Sequence, residues 1–332
     1  MELKVLEKPG REWDEFASRH TDLIFYQSIW SEVLRRGLGG QPLYFCLDEG
    51  GEVVAGLPAV LLRFGIFRIL YASIPYGNLI GEMTFFPSLA ELLEKEFRRR
   101  GIDQVRITES PFFESRWAGE CRSVKAKCSL LDLRGLEQGR VREGYRGDIR
   151  RAIRKAEKDG LYLKDAASPE EAKNFYTLYF ASMERNRAGA KYPLRWFEAL
   201  YEILIRQGKA DIRFAVKGDQ VAAGVVLVHS PTSIHYLHNG SEPAHLKSRP
   251  NDLIVDDIIQ RGVREGKAVL DFMGSDPGDL PLLRFKEKWG SQSRDLYTHI
   301  KSYHPLRCFF WETGKRWMGG RLGKGLSKML RK

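Results

Sequence analysis

Two stretches of this sequence predict the same succession of elements, and that duplication limits the fold more than any other feature. Residues 11–36 read as two helices. Trp13, Phe16 and Ala17 give the first an apolar face, and the second runs from Ser28 through Trp30, Val33 and Leu34. Strand-like runs over 42–47 and 53–62, joined by Asp48-Glu49-Gly50-Gly51, predict a hairpin. A strand over 68–74 ends in Pro75-Tyr76-Gly77-Asn78, a helix over 88–100 stops at Gly101, and a strand follows over 105–108. The second stretch repeats this order. Helices over 169–185 and 195–207 precede strands over 212–216 and 221–228, which flank the turn Lys217-Gly218-Asp219. A strand over 234–237 ends in His238-Asn239-Gly240-Ser241, and a helix over 252–264, Gly266 and a strand over 269–272 complete it. Val53-Val54-Ala55-Gly56 stands where Val221-Ala222-Ala223-Gly224 stands in the repeat. The expectation is an α/β (α+β) chain of two similar domains, 1–140 and 141–300, with a basic tail over 301–332 returning to the first.

A length of 332 residues suits two cores, and 43% hydrophobic with 29% charged residues marks a globular chain. No run reaches the roughly 20 apolar residues of a membrane span, and MELKVLEKPGREWDEF lacks a signal pattern. A cytoplasmic location is expected. Cys46, Cys121, Cys128 and Cys308 have no CxxC spacing, which predicts free thiols rather than zinc or a disulfide framework. His235 and His238 lack a third ligand, so no metal is expected. The net charge of +11 is concentrated: residues 301–332 carry +8 and residues 140–160 carry +4, leaving −1 elsewhere. A polyanionic partner would meet those two segments.

The stretch from Leu270 to Gly290, LDFMGSDPGDLPLLRFKEKWG, reads as strand, turn and helix, with Asp279 as N-cap and Gly290 as stop. On a helical wheel Leu282, Leu283, Phe285 and Trp289 form one stripe, and Lys286 falls inside it. A lysine so placed either snorkels to water or holds a cation at a pocket edge, where it stabilises developing negative charge. Asp271 or Asp276 could accept a proton; Asp271 at a strand end equally serves to cap a turn. Between the halves, residues 140–161 predict a helix capped by Asp148 and ended by Gly160. Ile149, Ala152, Ile153 and Ala156 make its narrow apolar stripe, and Arg150, Arg151, Arg154, Lys155 and Lys158 cover the rest. That face is either solvated or a phosphate-binding surface.

Several of these residues are similar to a known family. Ile149-Arg150-Arg151-Ala152-Ile153-Arg154-Lys155-Ala156-Glu157-Lys158-Asp159-Gly160, Phe175-Tyr176-x-Leu178-Tyr179 with Met183-Glu184-Arg185, and Asp271-Phe272-x-Gly274-Ser275 with Phe285-Lys286-Glu287-Lys288-Trp289-Gly290 resemble the FemABX-like branch of the GNAT acyltransferases. Gln27-Ser28-x-Trp30 fits the first domain. The resemblance implies two tandem GNAT-like domains, each a mixed twisted sheet flanked by helices. It implies transfer of an amino acid from aminoacyl-tRNA to an amine of an anionic cell-envelope precursor in peptidoglycan and cell-wall biogenesis. It makes Phe285-Lys286 the reactive-site pair. Tyr76, Asn78, Arg185, Arg187, Tyr192, Tyr236 and Asn239 become candidate substrate contacts, beside Arg151, Arg154 and Lys155. Two departures stand out: Leu34 occupies a place that is often basic, and 154–172 leaves no room for the helical arm of some members.

No tightly bound cofactor is expected; aminoacyl-tRNA would be the co-substrate, with acyl-CoA as the rival donor. Against acyl-CoA, GSEPAHLKSRPND over 240–252 lacks the Gly-rich pyrophosphate turn. No Ser or Cys has a motif-placed His, so a covalent acyl-enzyme is not expected. A rival of another class is a non-catalytic protein that uses its basic segments on nucleic acid or membrane. Cations interleaved with apolar residues in the tail suit peripheral attachment to an anionic membrane through 319–332, while 306–318 reads as packed on the first domain.

Overall fold

The computed structural model describes residues 1–113, 121–185, 192–310 and 313. The chain runs β1 (Glu2–Leu6), α1 (Arg11–His20), α2 (Ser28–Leu38), β2 (Gln41–Glu49), β3 (Glu52–Phe64), β4 (Phe67–Tyr71), β5 (Ile80–Gly81), α3 (Phe86–Arg99) and β6 (Gln104–Thr108). Then come β7 (Arg122–Asp132), α4 (Gly147–Lys158), β8 (Leu161–Asp165), α5 (Pro169–Arg185), α6 (Leu194–Ile203), β9 (Ala210–Lys217) and β10 (Gln220–His229). β11 (Ser233–Ser241), α7 (Pro250–Arg264), β12 (Val269–Ser275), α8 (Leu280–Glu287) and β13 (Gln292–Ser302) close the series.

These elements form two compact units. The first holds Met1–His20, Gly39–Val124 and Tyr297–Lys332; the second holds Thr21–Leu38 and Lys125–Leu296. The division therefore falls elsewhere than at 140/141. α2, with the Gln27–Trp30 motif expected in the first domain, belongs to the second unit, because its buried stripe packs on α6. Trp30 meets Trp196 edge-on at 5.8 Å, and a side chain at Gly37 would collide with Trp196 at 2.8 Å. Arg195 donates to the carbonyls of Gly37 and Leu38, closing the end of α2.

In the first unit, β1, β2, β3 and β4 run antiparallel in order, β4 lies parallel to β6, and Thr298–Ser302 of β13 pairs antiparallel with β6. In the second, β8, β9, β10 and β11 run antiparallel, β11 lies parallel to β12, and β12 pairs antiparallel with β7. The sole parallel pair of each series is joined through a helix, α3 or α7, as a parallel pair requires. The duplication read from the sequence is thus present as matching topology. In each unit the strand beyond that pair, β13 or β7, follows the other repeat in the chain. β1, β7, β8 and β13 had no expected counterpart.

Local expectations meet mixed outcomes. Ile149, Ile153 and Ala156 of α4 are buried in the core of the second unit with Val225, Leu227, Ile258, Leu270 and Trp289. α4 starts at Gly147 with Arg146 as N-cap, so Asp148 lies in the first turn rather than capping it, and it pairs with Arg146. Asp279 does cap α8, accepting from the Leu282 amide at 3.1 Å. α8 ends at Glu287, and Trp289 reaches the core from beyond the helix. β11 extends through Asn239-Gly240, which the sequence places in a loop; a side chain at Gly240 would meet the Leu178 backbone at 2.8 Å. α4, β8 and α5 follow one another closely, leaving no inserted arm. All four cysteines are free. No helix among the described residues is long and apolar enough to cross a membrane.

Candidate active site

The site arises where two parallel strands part. β11 and β12 are paired over Ser233–His235 and Val269–Asp271, and the pairing stops there. Beyond that point β11 continues against β10, while β12 shifts register against β7 between Asp271 and Gly274. Met273, inside the shift, has φ of 64°, a left-handed conformation that a side chain adopts only when its surroundings hold it. The gap is a cavity of about 270 Å3. Tyr236, Leu237 and Asn239 of β11 form one wall, Phe272, Met273 and Gly274 of β12 another, and Asn251, Leu282, Phe285 and Lys286 complete it.

Two buried charged side chains hold the irregular strand. Lys286 is only 5% exposed. Its ammonium donates to the carbonyls of Phe272 at 2.6 Å and Met273 at 3.0 Å, and to Ser275 Oγ at 2.7 Å. Asp271, fully buried, accepts from the Met273 amide at 2.7 Å and from the Cys128 thiol at 3.3 Å through Oδ1. Its Oδ2 meets His235 Nδ1 at 3.0 Å. Backbone groups that lose strand partners at the parting therefore gain side-chain partners. Burial brings the Lys286 pKa down to about 8, against the opposing pull of Cys128, Asp271 and Asp279. An ammonium has three donors, and all three are engaged. Lys286 thus lines the cavity as a clamp on β12; snorkelling is excluded. Among the described residues the Ser275 hydroxyl is its only side-chain hydrogen-bond partner, and the bond an incoming oxygen could exchange with least disturbance.

The other candidate residues fall into groups. Tyr236 lies 7% exposed beside Phe272, with ring centroids 5.8 Å apart, and burial raises its phenol pKa. Phe285 carries the Lys288 ammonium 4.5 Å over its ring. Asp271 does not line the cavity, and Asp276 accepts from the Gly278 amide in a turn. Both read as structural acceptors, because burial or turn geometry occupies them. Arg185 donates to the Ser241 carbonyl and to Ser182 Oγ, fastening α5 to β11 rather than entering the cavity. Tyr192 stacks beside Trp196 and His238. Burial takes the His238 pKa down to about 3, and His238 accepts from Trp196 Nε1 at 2.9 Å. Arg187 lies outside the described residues, as does the segment 319–332.

Tyr76 and Asn78 belong to the first unit, in the loop after β4, where each is 1% exposed. A Cβ at Gly77 between them would fall 1.2 Å from the Ala72 carbonyl oxygen, so only glycine fits. The described residues that line the cavity beside Lys286 all belong to the second unit.

Arg151 and Lys155 line a second cavity, of about 340 Å3, with Arg249, Lys288, Asp148 and Asp252. Lys288 pairs with Asp252 and Lys155 with Asp159, while Arg151 makes no ion pair among the described residues. Arg154 points elsewhere, towards the Arg150 carbonyl. A neighbouring space of about 500 Å3 adds Arg146 and Arg284 and shares Phe285 and Lys288. Phe285 thus separates the basic surface from the lysine cavity. Sequence reading missed Arg249 and Asn251, because it began α7 at Asp252. The usable signal was Arg249-Pro250, since proline favours the first helical turn.

The structure also assembles a constellation that the sequence hid: Ser230 and Ser233 hydroxyls within 3.1 and 3.0 Å of His235 Nε2, with Asp271 on Nδ1. This has the order of a nucleophilic triad. Ser230 is 1% exposed, His235 is fully buried, and none of the group lines the Lys286 cavity.

Residues 143–287 match the sequence profile of the acetyltransferase (GNAT) domain. This defines the class of that stretch: the second unit carries a GNAT acetyltransferase domain. FemX aligns over 89% of this chain and 96% of its own, at 13% identity and a TM-score of 0.64. L-PGS from Bacillus licheniformis aligns over 95% and 98%, at 13% identity and 0.59. A tandem GNAT protein from the clavulanic acid biosynthesis pathway aligns over 91% and 98%, at 12% identity and 0.59. The fold is thus the tandem GNAT fold, and the FemABX-like resemblance holds at that level. No curated protein matches by sequence.

Proposed function

We propose that this protein transfers an aminoacyl group from aminoacyl-tRNA to an amine of an anionic cell-envelope precursor, in the cavity where β11 and β12 part. The observation that carries this reading is Lys286, a buried cation on the wall of that cavity, with Arg146, Arg284 and Lys288 across Phe285 and Arg151, Lys155 and Arg249 continuing beyond Lys288. Its location on FemX-like architecture adds to the reading.

The acceptor amine attacks the ester carbonyl, and charge develops on the carbonyl oxygen. The Lys286 ammonium stabilises that oxygen, in exchange for its Ser275 bond or through space. As the intermediate collapses, the C–O bond breaks, the C–N bond remains, and the amine proton passes to the departing hydroxyl. Among the described residues no carboxylate lines the cavity, which favours this direct route over one through Asp271. Aromatic and apolar walls from Tyr236, Phe272, Leu282 and Phe285 limit competing hydrolysis.

Acyl-CoA is the rival donor. A pyrophosphate held at a helix N-terminus needs free backbone amides. At α7, Pro250 has none and the Asp252 amide donates to the Arg249 carbonyl, so of the first three positions Asn251 alone offers an amide. Side-chain cations dominate this surface instead, which favours an extended polyphosphate. Incubation with charged tRNA and, separately, with acyl-CoA, each with amine acceptors, tests the assignment. Acceptor-dependent loss of the aminoacyl ester supports it; thioester loss alone assigns the site to acyl-CoA.

A further inference from the structure

Residues 305–310 are helical, and their apolar side chains face outwards. Leu306, Phe309 and Phe310 are 77%, 65% and 67% exposed. Spaced i, i+3, i+4, they form one stripe of the helix. Cys308 lies on the opposite side and is buried, its thiol donating to the Asp103 carbonyl at 3.2 Å. Arg307 is tied to the Asp103 carboxylate at 3.0 Å. The orientation is therefore fixed by polar contacts at Asp103; it turns Leu306 and Phe310 outwards, while Phe309, still mostly exposed, borders a shallow space beside Gln104 and Ile300. An exposed stripe of this kind marks an interaction surface.

We propose that this stripe docks the protein on an anionic lipid bilayer. Charge selects the occupant. Within 301–310 the cations Lys301 and Arg307 are neutralised by Glu94 and Asp103. The sequence after the stripe, 311–332, then carries seven Lys or Arg against Glu312 alone. The same segment continues the apolar theme with Trp311, Trp317, Met318, Leu322, Leu326, Met329 and Leu330. Tryptophan and aliphatic residues interleaved with cations suit the headgroup boundary, where apolar groups enter and cations meet lipid phosphates. Duplex nucleic acid would use the cations and leave the exposed leucine and phenylalanines without a partner. The inference stands apart from the transfer reading, which concerns the other unit.

The test is sedimentation of the full chain with phosphatidylglycerol vesicles and with phosphatidylcholine vesicles, at low and high salt. The wild type is expected to sediment with phosphatidylglycerol only, and high salt to reduce this. The double variant Phe309→Glu/Phe310→Glu should keep the wild-type melting temperature and bind at least about tenfold less. Absence of wild-type binding to phosphatidylglycerol at low salt would overturn the proposal, as would undiminished binding by the folded double variant. A wild-type dimer that the double variant dissociates, with no vesicle binding, would assign the stripe to a second copy. Transfer to a water-soluble acceptor should be equal in both forms, so this outcome and that of the transfer assay are read independently.

Discussion

At the scale of single residues, Lys286 combines the pocket-edge placement that the sequence offered with an anchoring role that it did not show. It anchors the irregular part of β12 and it lines the cavity. Its pKa of about 8 gives a signature. If the ammonium is the working form, the transfer rate falls as pH rises through about 8, because the stabilising charge is lost. A pH–rate profile with that alkaline limb, flattened in Lys286→Met, is the expected result. The linkage to stability has the opposite sense. The native lysine releases its proton near 8 and the unfolded one near its ordinary 10.5. Between these values the unfolded state binds more protons, so this group's contribution to stability rises with pH across that window. Urea titrations at the two ends, against Lys286→Met as reference, would measure it. Asp271→Asn removes the charge that faces the Met273 amide, Cys128 and His235. A loss of about 1–3 kcal/mol in denaturant unfolding is expected, with a fall in rate through displacement of Lys286.

At the scale of elements, much of the structure was legible because its apolar spacing is regular. The Asp279 cap and the buried stripe of α4 followed from side-chain chemistry at fixed offsets. Asp279→Ala should cost about 1 kcal/mol in thermal unfolding. The parting of β11 from β12 was not legible, because Leu270-Asp271-Phe272-Met273 reads as unbroken strand. The local Asp271 acceptor and Lys286 from α8 hold the left-handed Met273. α2 was found as a helix but assigned to the wrong unit, since an amphipathic stripe does not say which surface covers it. Trp30, fully buried against Trp196, fixes that partner; Trp30→Ala should cost about 3–5 kcal/mol in chemical denaturation.

At the scale of the whole molecule, the repeat was the safest reading and its boundaries the weakest. Similar topology follows from similar element order, but β7 and β13 each complete a unit formed largely by the other repeat, which no local pattern reveals. Charge shows the same limit. The +4 of residues 140–160 is real in sequence, yet Arg142 is spent on Asp256 and Glu157 and Arg140 on Glu137 and Glu143. Arg151 is among the few cations left to a ligand. Arg151→Ala should weaken binding of charged tRNA and reduce its salt slope by about 1, measured by titration at several salt concentrations. The central claim is that the Lys286 cavity performs acyl transfer. A single-turnover assay with charged tRNA and an amine acceptor, comparing wild type with folded Lys286→Met, tests it most directly. The account predicts a rate reduced by about 10²–10³ with donor binding retained; an unchanged rate in the folded variant would contradict it.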